Sequence, residues 1–446
     1  MSTDNKGFLS MIYHPAVVWL LRVIVGATFV VSGFVKSVDP WGSVIKIGEY
    51  LAVWGWDVPS ALVTFGAFML GGVEFVFGML LVLGCYRRVS VWILLAMMCF
   101  MLPLTLYIMI ANPVADCGCF GDFIILSNTA TFVKNVFITL FLAYLFLFNV
   151  RVSGLFIPYV QWIVGGILSF YILAVAFYSY NVQPIIDFRR FAPETRLINA
   201  SEDEDEEGEE AVFEYIYERE GEKRAFMIDE LPDSTWTFVD RHLVNGSTEV
   251  SDGFTIIEDG EDIAPDVIAE DGEQFIVTIP DISKVDLSCT YLINELNDFI
   301  MERGGSLIAL VNSDERGIEW WKDISMASYP IYNTEPTLIK ELARGNAALV
   351  YLKDGVVKWK RTLSSISYSY VTETPASELI DNLEPQPYLV LESFTIVVGI
   401  VLFVIFFFDR SGKLVAWLIR RQKKKRQMAK NAVSSSESED GCMPEN

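Results

Sequence analysis

The amino-acid sequence predicts an α-helical integral membrane bundle joined to a soluble, acidic α/β domain outside the cytoplasm, and three observations predict it. Hydrophobic residues fill 52% of the 446 positions, yet the formal net charge is −23. Those values coexist only if the chain is split into an apolar part and an acidic part. The acidity is also confined, because residues 181–390 hold 17 basic and 44 acidic side chains. Finally, six stretches approach the roughly 20 apolar residues that a helix needs to cross a bilayer. They cover 16–36, 60–84, 88–110, 129–150, 156–180 and 391–408. So acidic a soluble part disfavours nucleic acid as a partner, and the lipid bilayer is the partner the spans imply.

The first stretch reads as a retained span: it is long, has no small-residue cleavage site and runs into Lys36 and a polar-aromatic loop. Basic residues then orient the bundle. Arg87-Arg88, Arg151 and the cluster from Arg410 to Lys430 all fall on one side if the N-terminus is cytoplasmic and the spans alternate. This places 37–59, 111–128 and 181–390 outside and both termini in the cytoplasm. The chain accordingly divides into a four-helix membrane domain over 1–150, a fifth span and its exit over 151–183, and an acidic β-rich segment over 184–270. An α/β domain follows over 271–390, then the sixth span over 391–408 and a basic, then disordered, tail over 409–446.

Ionisable residues inside a span are costly and mark candidate sites. Arg22 and Glu74 are the two here, able to pair between spans one and two or to hold a cofactor, while Lys36 can snorkel from its helix end. Two isolated histidines, His14 and His242, argue against haem, zinc or a histidine relay.

The concentrated chemical signal is the loop Cys117-Gly118-Cys119-Phe120-Gly121-Asp122. Two cysteines separated by glycine can close a small, strained and easily reduced disulfide. A redox-active pair, a structural disulfide and, more remotely, a metal site that would need two further ligands all fit the residues. No Lys, Arg or His flanks the pair in sequence, and Asp116 and Asp122 would raise a thiol pKa.

These residues carry a resemblance. Span one, Leu21-Arg22 through Gly26, Phe29, Ser32-Gly33 and Lys36, resembles the opening of DoxX and MauE membrane proteins. Gly72-Val73-Glu74 leading to Gly78, Leu80, Gly84 and Arg87 resembles their second helix. The Cys-Gly-Cys-Phe-Gly loop with Thr131 and Asn135 is similar to MauE. The resemblance covers about a third of the chain and implies a four-helix core and extracytoplasmic thiol chemistry, with quinone a possible acceptor.

In the soluble part, Glu202–Glu210 reads as a solvated acidic loop or, more sharply, a weak calcium site. Alternation over Phe213–Glu218 and Arg224–Ile228 predicts a hairpin through Glu220-Gly221. From 272 onward, strands at 275–279 and 306–312, helices at 289–303, 317–326 and 337–343, and a hairpin across Asp354-Gly355 follow in order. That order resembles a degenerate thioredoxin, and with Pro184–Arg189 it is similar to larger DoxX-family proteins of Bacteroidota. Ala347 stands where the resemblance expects a cis-proline, and Cys289 has no CxxC partner. Cys289 opens a helix, where the dipole can lower a thiol pKa, so it is a third candidate beside Cys117 and Cys119.

Two functions compete. One is support of extracytoplasmic thiol/disulfide chemistry or maturation of envelope proteins, with a periplasmic protein thiol as client. The other is a non-catalytic membrane-anchored binding protein. A solute carrier is disfavoured by the few intramembrane polar residues and the lack of an inverted repeat.

Overall fold

The computed structural model describes residues 14–111, 114, 117–149, 152–198, 212–219, 222–227, 237–245, 254–258 and 261–440. They form two compact units, one of Met1–Arg189, Arg361–Ile366 and Glu378–Asn446, the other of Arg190–Lys360 and Ser367–Ser377.

The first unit is helical: α1 (Pro15–Val38), α2 (Pro40–Val53), α3 (Ser60–Leu83), α4 (Arg87–Ala111), α5 (Asn128–Phe148) and α6 (Gln161–Asn181). All of these but α2, together with the first part of the last helix (Pro387–Gly412), are long and apolar enough to cross a membrane. Local chemistry sets the boundaries. Pro15 and Pro40 occupy first helical turns, where a missing N–H costs nothing. Asp39 and Ser127 cap α2 and α5 by accepting from Gly42 and Ala130. The loop read as polar and aromatic between the first two spans is therefore a helix, α2.

Helices α1 and α3 run antiparallel with their backbones in close approach. A β-carbon at Gly33 would stand 2.3 Å from the Phe75 backbone nitrogen, and one at Gly78 would stand 2.9 Å from the Gly26 carbonyl. Small residues allow this approach, the usual route to tight helix contacts in membranes. It also fixes the register: Gly26 faces Gly78, and Gly33 faces Gly71 and Phe75.

The second unit holds two sheets of note. Strands β1 (Val212–Arg219), β2 (Glu222–Met227) and β3 (Thr237–Asn245) form a three-stranded sheet in the order β2-β1-β3. The hairpin tip at 220–221 and the Glu202–Glu210 run lie outside the described residues. A two-stranded ribbon, β4 (Ile257–Glu258) and β5 (Glu261–Asp262), and a short helix α7 (Ala264–Val267) lead to a mixed five-stranded sheet. It is built from β6 (Glu273–Ile279), β7 (Ser306–Val311), β8 (Ile331–Asn333), β9 (Ala348–Lys353) and β10 (Val356–Thr362), in the order β10-β9-β6-β7-β8. Strands β6, β7 and β8 are parallel, and β9 runs against β6. Helices α8 (Cys289–Glu302), α9 (Glu315–Ser325) and α10 (Pro336–Leu342) connect the strands. The near-continuous burial of β6, β7 and β9 is what a strand covered on both faces requires.

Short helices α11 (Tyr368–Glu373) and α12 (Leu379–Leu383) precede α13 (Pro387–Asp440). Helix α13 lies against α6, where Tyr171 and Thr395 hydroxyls bond at 2.9 Å and the rings of Tyr171 and Phe394 stack. It runs as one helix to Asp440, whereas the sequence predicts loss of structure after 430. No proline or glycine interrupts residues 413–440, so nothing local stops it.

Candidate functional site

The cysteine loop is shaped by its glycines. Gly118 has φ +69° and Gly121 φ +52°, both left-handed, where a β-carbon is strained. The turn at Gly118 brings the Cys117 and Cys119 sulfurs to 3.2 Å as free thiols. Helix α2 closes over this turn. A β-carbon at Gly118 would stand 2.8 Å from Lys46 Cγ, and the Tyr50 hydroxyl donates to the Cys117 carbonyl at 3.0 Å.

From the other side, α1 and α3 hold the Cys119 backbone. Lys36 Nζ donates to the Cys119 carbonyl at 2.7 Å, to the Ser32 hydroxyl at 2.7 Å and to Glu74 Oε2 at 2.8 Å. All three ammonium hydrogens are thereby used. The Ser32 hydroxyl lies 2.8 Å from Glu74 Oε2 and 2.7 Å from the Cys119 carbonyl, so its single hydrogen can serve either acceptor. The Lys36–Glu74 side chains are each only 5% exposed, a burial that full hydrogen bonding makes tolerable.

This corrects two expectations. Lys36 does not snorkel; it is buried. Nor does Arg22 pair with Glu74. The register set by the glycine contacts brings Arg22 level with Leu81 and Val82, two turns from Glu74, and its guanidinium donates to their carbonyls at 3.2 and 3.4 Å. The buried Arg22 Nη1 has no hydrogen-bond partner among the described residues.

Electrostatics separates the two thiols. Cys119 is pulled below the ordinary thiol range, first by the hydrogen bond from Cys117 and then by Lys134 and Lys36, against the opposing effect of burial. Cys117 is pushed up by the same hydrogen bond and by burial. The sequence pointed the other way because it shows only neighbours. Asp116 lies outside the described residues, and the cations arrive from α1 and α5. Lys134 is held over the Phe120 ring at 4.4 Å.

Beside Cys119 a cleft of about 30 Å³ is lined by Ser32, Glu74, Met98, Lys134 and Asn135, among others. That is room for about one water molecule. Asn135, one of its lining residues, donates to the Thr105 hydroxyl at 3.3 Å. Sequence reasoning singled out Cys117, Cys119 and Glu74 but missed Lys134, Tyr50 and the joint role of Ser32 and Lys36. The i, i+4 spacing of Ser32 and Lys36 on one helix face was the signal available.

Cys289 belongs to the second unit, at the start of α8, and is half-buried. Burial and then Asp286 push its thiol up to about 11, outweighing the helix-end effect the sequence suggested. Cys85 is buried and Cys99 exposed, both as free thiols, and Cys442 lies outside the described residues. Among the described residues no group of three or more His, Cys, Asp and Glu could hold a metal ion.

Comparison with known families gives two matches. Residues 14–148 match methylamine utilisation protein MauE, and residues 211–244 match a domain of unknown function (DUF8463). No curated protein and no solved structure matches the chain. The first match spans α1 to α5 and so contains every residue of the cysteine site. With the six apolar helices, it supports a MauE-like, multi-pass membrane protein.

Proposed function

We propose that the chain exchanges disulfides at an extracytoplasmic membrane surface, with Cys119 as the attacking or attacked sulfur and Cys117 as its resolving partner. The observation that carries this reading is the pair of sulfurs 3.2 Å apart on a backbone gripped by a buried Lys36–Glu74–Ser32 network. Cys119 is the more exposed of the two and the one favoured as thiolate, the combination that exchange requires.

In the oxidising direction, a client thiolate bonds to Cys119 Sγ of the Cys117–Cys119 disulfide. The Cys117–Cys119 bond breaks, and Cys117 leaves and takes up a proton. A second client thiolate then attacks the client sulfur of the mixed disulfide, closing the client disulfide, and Cys119 leaves as a thiolate beside Lys134 and Lys36. Two electrons have passed to the pair, and a two-electron acceptor of the quinone class in the membrane would restore its disulfide. The cleft beside Cys119, about 30 Å³, is too small to take in a quinone ring.

A second reading belongs to the outer unit. Its single, proton-retaining Cys289 and its β6-α8-β7 start favour a thioredoxin-like binding module without dithiol chemistry of its own, suited to gripping a client.

Trapping tests the first reading. In the reverse direction Cys119 attacks a client disulfide and Cys117 resolves the mixed disulfide; in cells carrying Cys117→Ser that resolution is lost, so the client remains on Cys119 in a mixed disulfide that a reductant dissolves. Cys117 and Cys119 reduced at all times in vivo, or a Cys117→Ser/Cys119→Ser double variant indistinguishable from the parent, overturns it.

A further inference from the structure

Disulfide exchange at this pair needs a proton where water is scarce. When a client thiolate takes Cys119, Cys117 departs as a thiolate, and Cys117 is only 7% exposed. A charge left in such surroundings is unfavourable unless a donor meets it. The donor must therefore already stand at the sulfur.

Helix α2 supplies one. Lys46 and Tyr50 lie one turn apart on it and both meet the cysteine turn. The Lys46 stem covers Gly118, and the Tyr50 hydroxyl donates to the Cys117 carbonyl at 3.0 Å. The Tyr50 ring stacks on Trp54, with centroids 6.3 Å apart, and its hydroxyl also hydrogen-bonds to the Cys117 thiol. Its one hydrogen can serve the carbonyl or the sulfur. In the reduced pair, the hydrogen bond to Cys119, burial and the charge of Cys119 hold the Cys117 thiol up, and the Tyr50 hydroxyl and then Lys134 oppose them. Once Cys119 is bonded to a client, its hydrogen bond and charge drop out, and Tyr50 is the first influence left against burial. The other charges nearby are engaged. Lys36 spends its three hydrogens on Ser32, Glu74 and the Cys119 carbonyl, Lys46 pairs with Glu49 at 3.0 Å, and Lys134 sits over Phe120. Asp122, in the short turn that follows, can only accept while ionised.

We propose that Tyr50 is a catalytic residue of the pair, giving its hydroxyl proton to Cys117 Sγ as the Cys117–Cys119 bond breaks, an assignment that rests on the disulfide-exchange reading. The client sulfur bonds to Cys119 Sγ, and the electron pair of the old disulfide leaves on Cys117 Sγ. The Tyr50 proton moves onto that sulfur, and the half-exposed tyrosinate regains a proton from water. While the disulfide is closed, the Tyr50 hydrogen rests on the Cys117 carbonyl. Its bond to sulfur strengthens only as charge develops there, which is the condition for a rate effect.

The test uses the full chain in detergent, with the pair closed by diamide and then reduced by tris(carboxyethyl)phosphine. The phosphine bonds to Cys119 Sγ and expels Cys117 as a client thiolate would; water then converts the adduct to phosphine oxide and free Cys119. Tyr50→Phe keeps the ring and removes only the hydroxyl. It should slow the appearance of thiols on the Cys117–Cys119 peptide about tenfold, the scale of one lost hydrogen bond to a charged group. A solvent deuterium isotope effect above unity in the parent should fall to unity in Tyr50→Phe, a change that a purely structural bond to the carbonyl does not produce. Fluorotyrosine in place of Tyr50, with its ring and hydroxyl intact, should restore both the rate and the isotope effect, which sets misfolding aside. Equal rates in the parent and Tyr50→Phe, an isotope effect that survives in Tyr50→Phe, or a fluorotyrosine variant as slow as Tyr50→Phe overturns the assignment and leaves disulfide exchange standing. Failure of diamide to close Cys117 onto Cys119 overturns disulfide exchange itself, and the assignment with it.

Discussion

Cys119, in a glycine turn, and Cys289, the first residue of α8, are both half-buried thiols, yet their surroundings drive them in opposite directions. Around Cys119, a hydrogen bond from Cys117 and the ammonium groups of Lys134 and Lys36 outweigh burial and favour the thiolate. Around Cys289, burial and then Asp286 outweigh a backbone hydrogen bond that pulls the other way, and the thiol keeps its proton up to about 11. Burial alone therefore makes a cysteine inert. Reactivity follows from cations and donors brought to the sulfur within hydrogen-bonding or short Coulombic range.

The sharpest way to break this contrast is to remove the ion pair beneath Cys119. Glu74→Leu leaves the Lys36 ammonium buried beside an apolar side chain and should destabilise the detergent-solubilised protein by about 3–5 kcal/mol. A Lys36→Met/Glu74→Leu double variant should recover most of that loss. Unfolding midpoints that are unchanged in the single variant would show that the pair is solvated. Next in size is the helix contact that keeps the pair dry. Gly33→Val forces a side chain against the Phe75 backbone, and an overpacking cost of about 1–3 kcal/mol is expected in the same assay.

The contrast itself can be read chemically. With Cys117 replaced by serine, whose hydroxyl can still donate, Cys119 should react with iodoacetamide at neutral pH at least roughly tenfold faster than Cys289. That figure allows for the lower intrinsic nucleophilicity of a more acidic thiol. Equal rates would erase the distinction. The smallest effect belongs to Lys134→Gln, which should slow Cys119 alkylation about threefold and leave Cys289 untouched.

The pH dependence follows the same division. A thiol whose folded pKa is lowered, as at Cys119, contributes stability present above the unfolded thiol pKa and lost as pH falls through the folded value. Cys289, raised to about 11, contributes stability that is complete below the unfolded value and is lost as pH rises towards 11. Alkylation of Cys119 should therefore level off at a lower pH than that of Cys289.

Much of the architecture was legible before any coordinates. Six apolar runs needed no context, because a spanning helix satisfies its backbone hydrogen bonds within itself. The alternation in β1 and β2 and the Asp354-Gly355 hairpin are equally local signals. Helix α2 was harder to see, since its mixed face gives no continuous apolar run and only Asp39-Pro40 marks its start. Strand β8 is three residues long, too short for any period to show.

The sequence by itself determined which segments are long and apolar enough to cross a membrane, which segments alternate as strands, and that Cys117 and Cys119 lie on one glycine turn, because each of these depends on residues only a few positions apart. Only the tertiary structure decided what those cysteines are. The interlocking of Gly26, Gly33, Gly71 and Gly78 set the register of α1 on α3, and that register alone brought Lys36, not Arg22, to Glu74 and the Cys119 carbonyl. Charges act through distance in space, and a contact between residues 36, 74, 119 and 134 has no signature in the order of the chain.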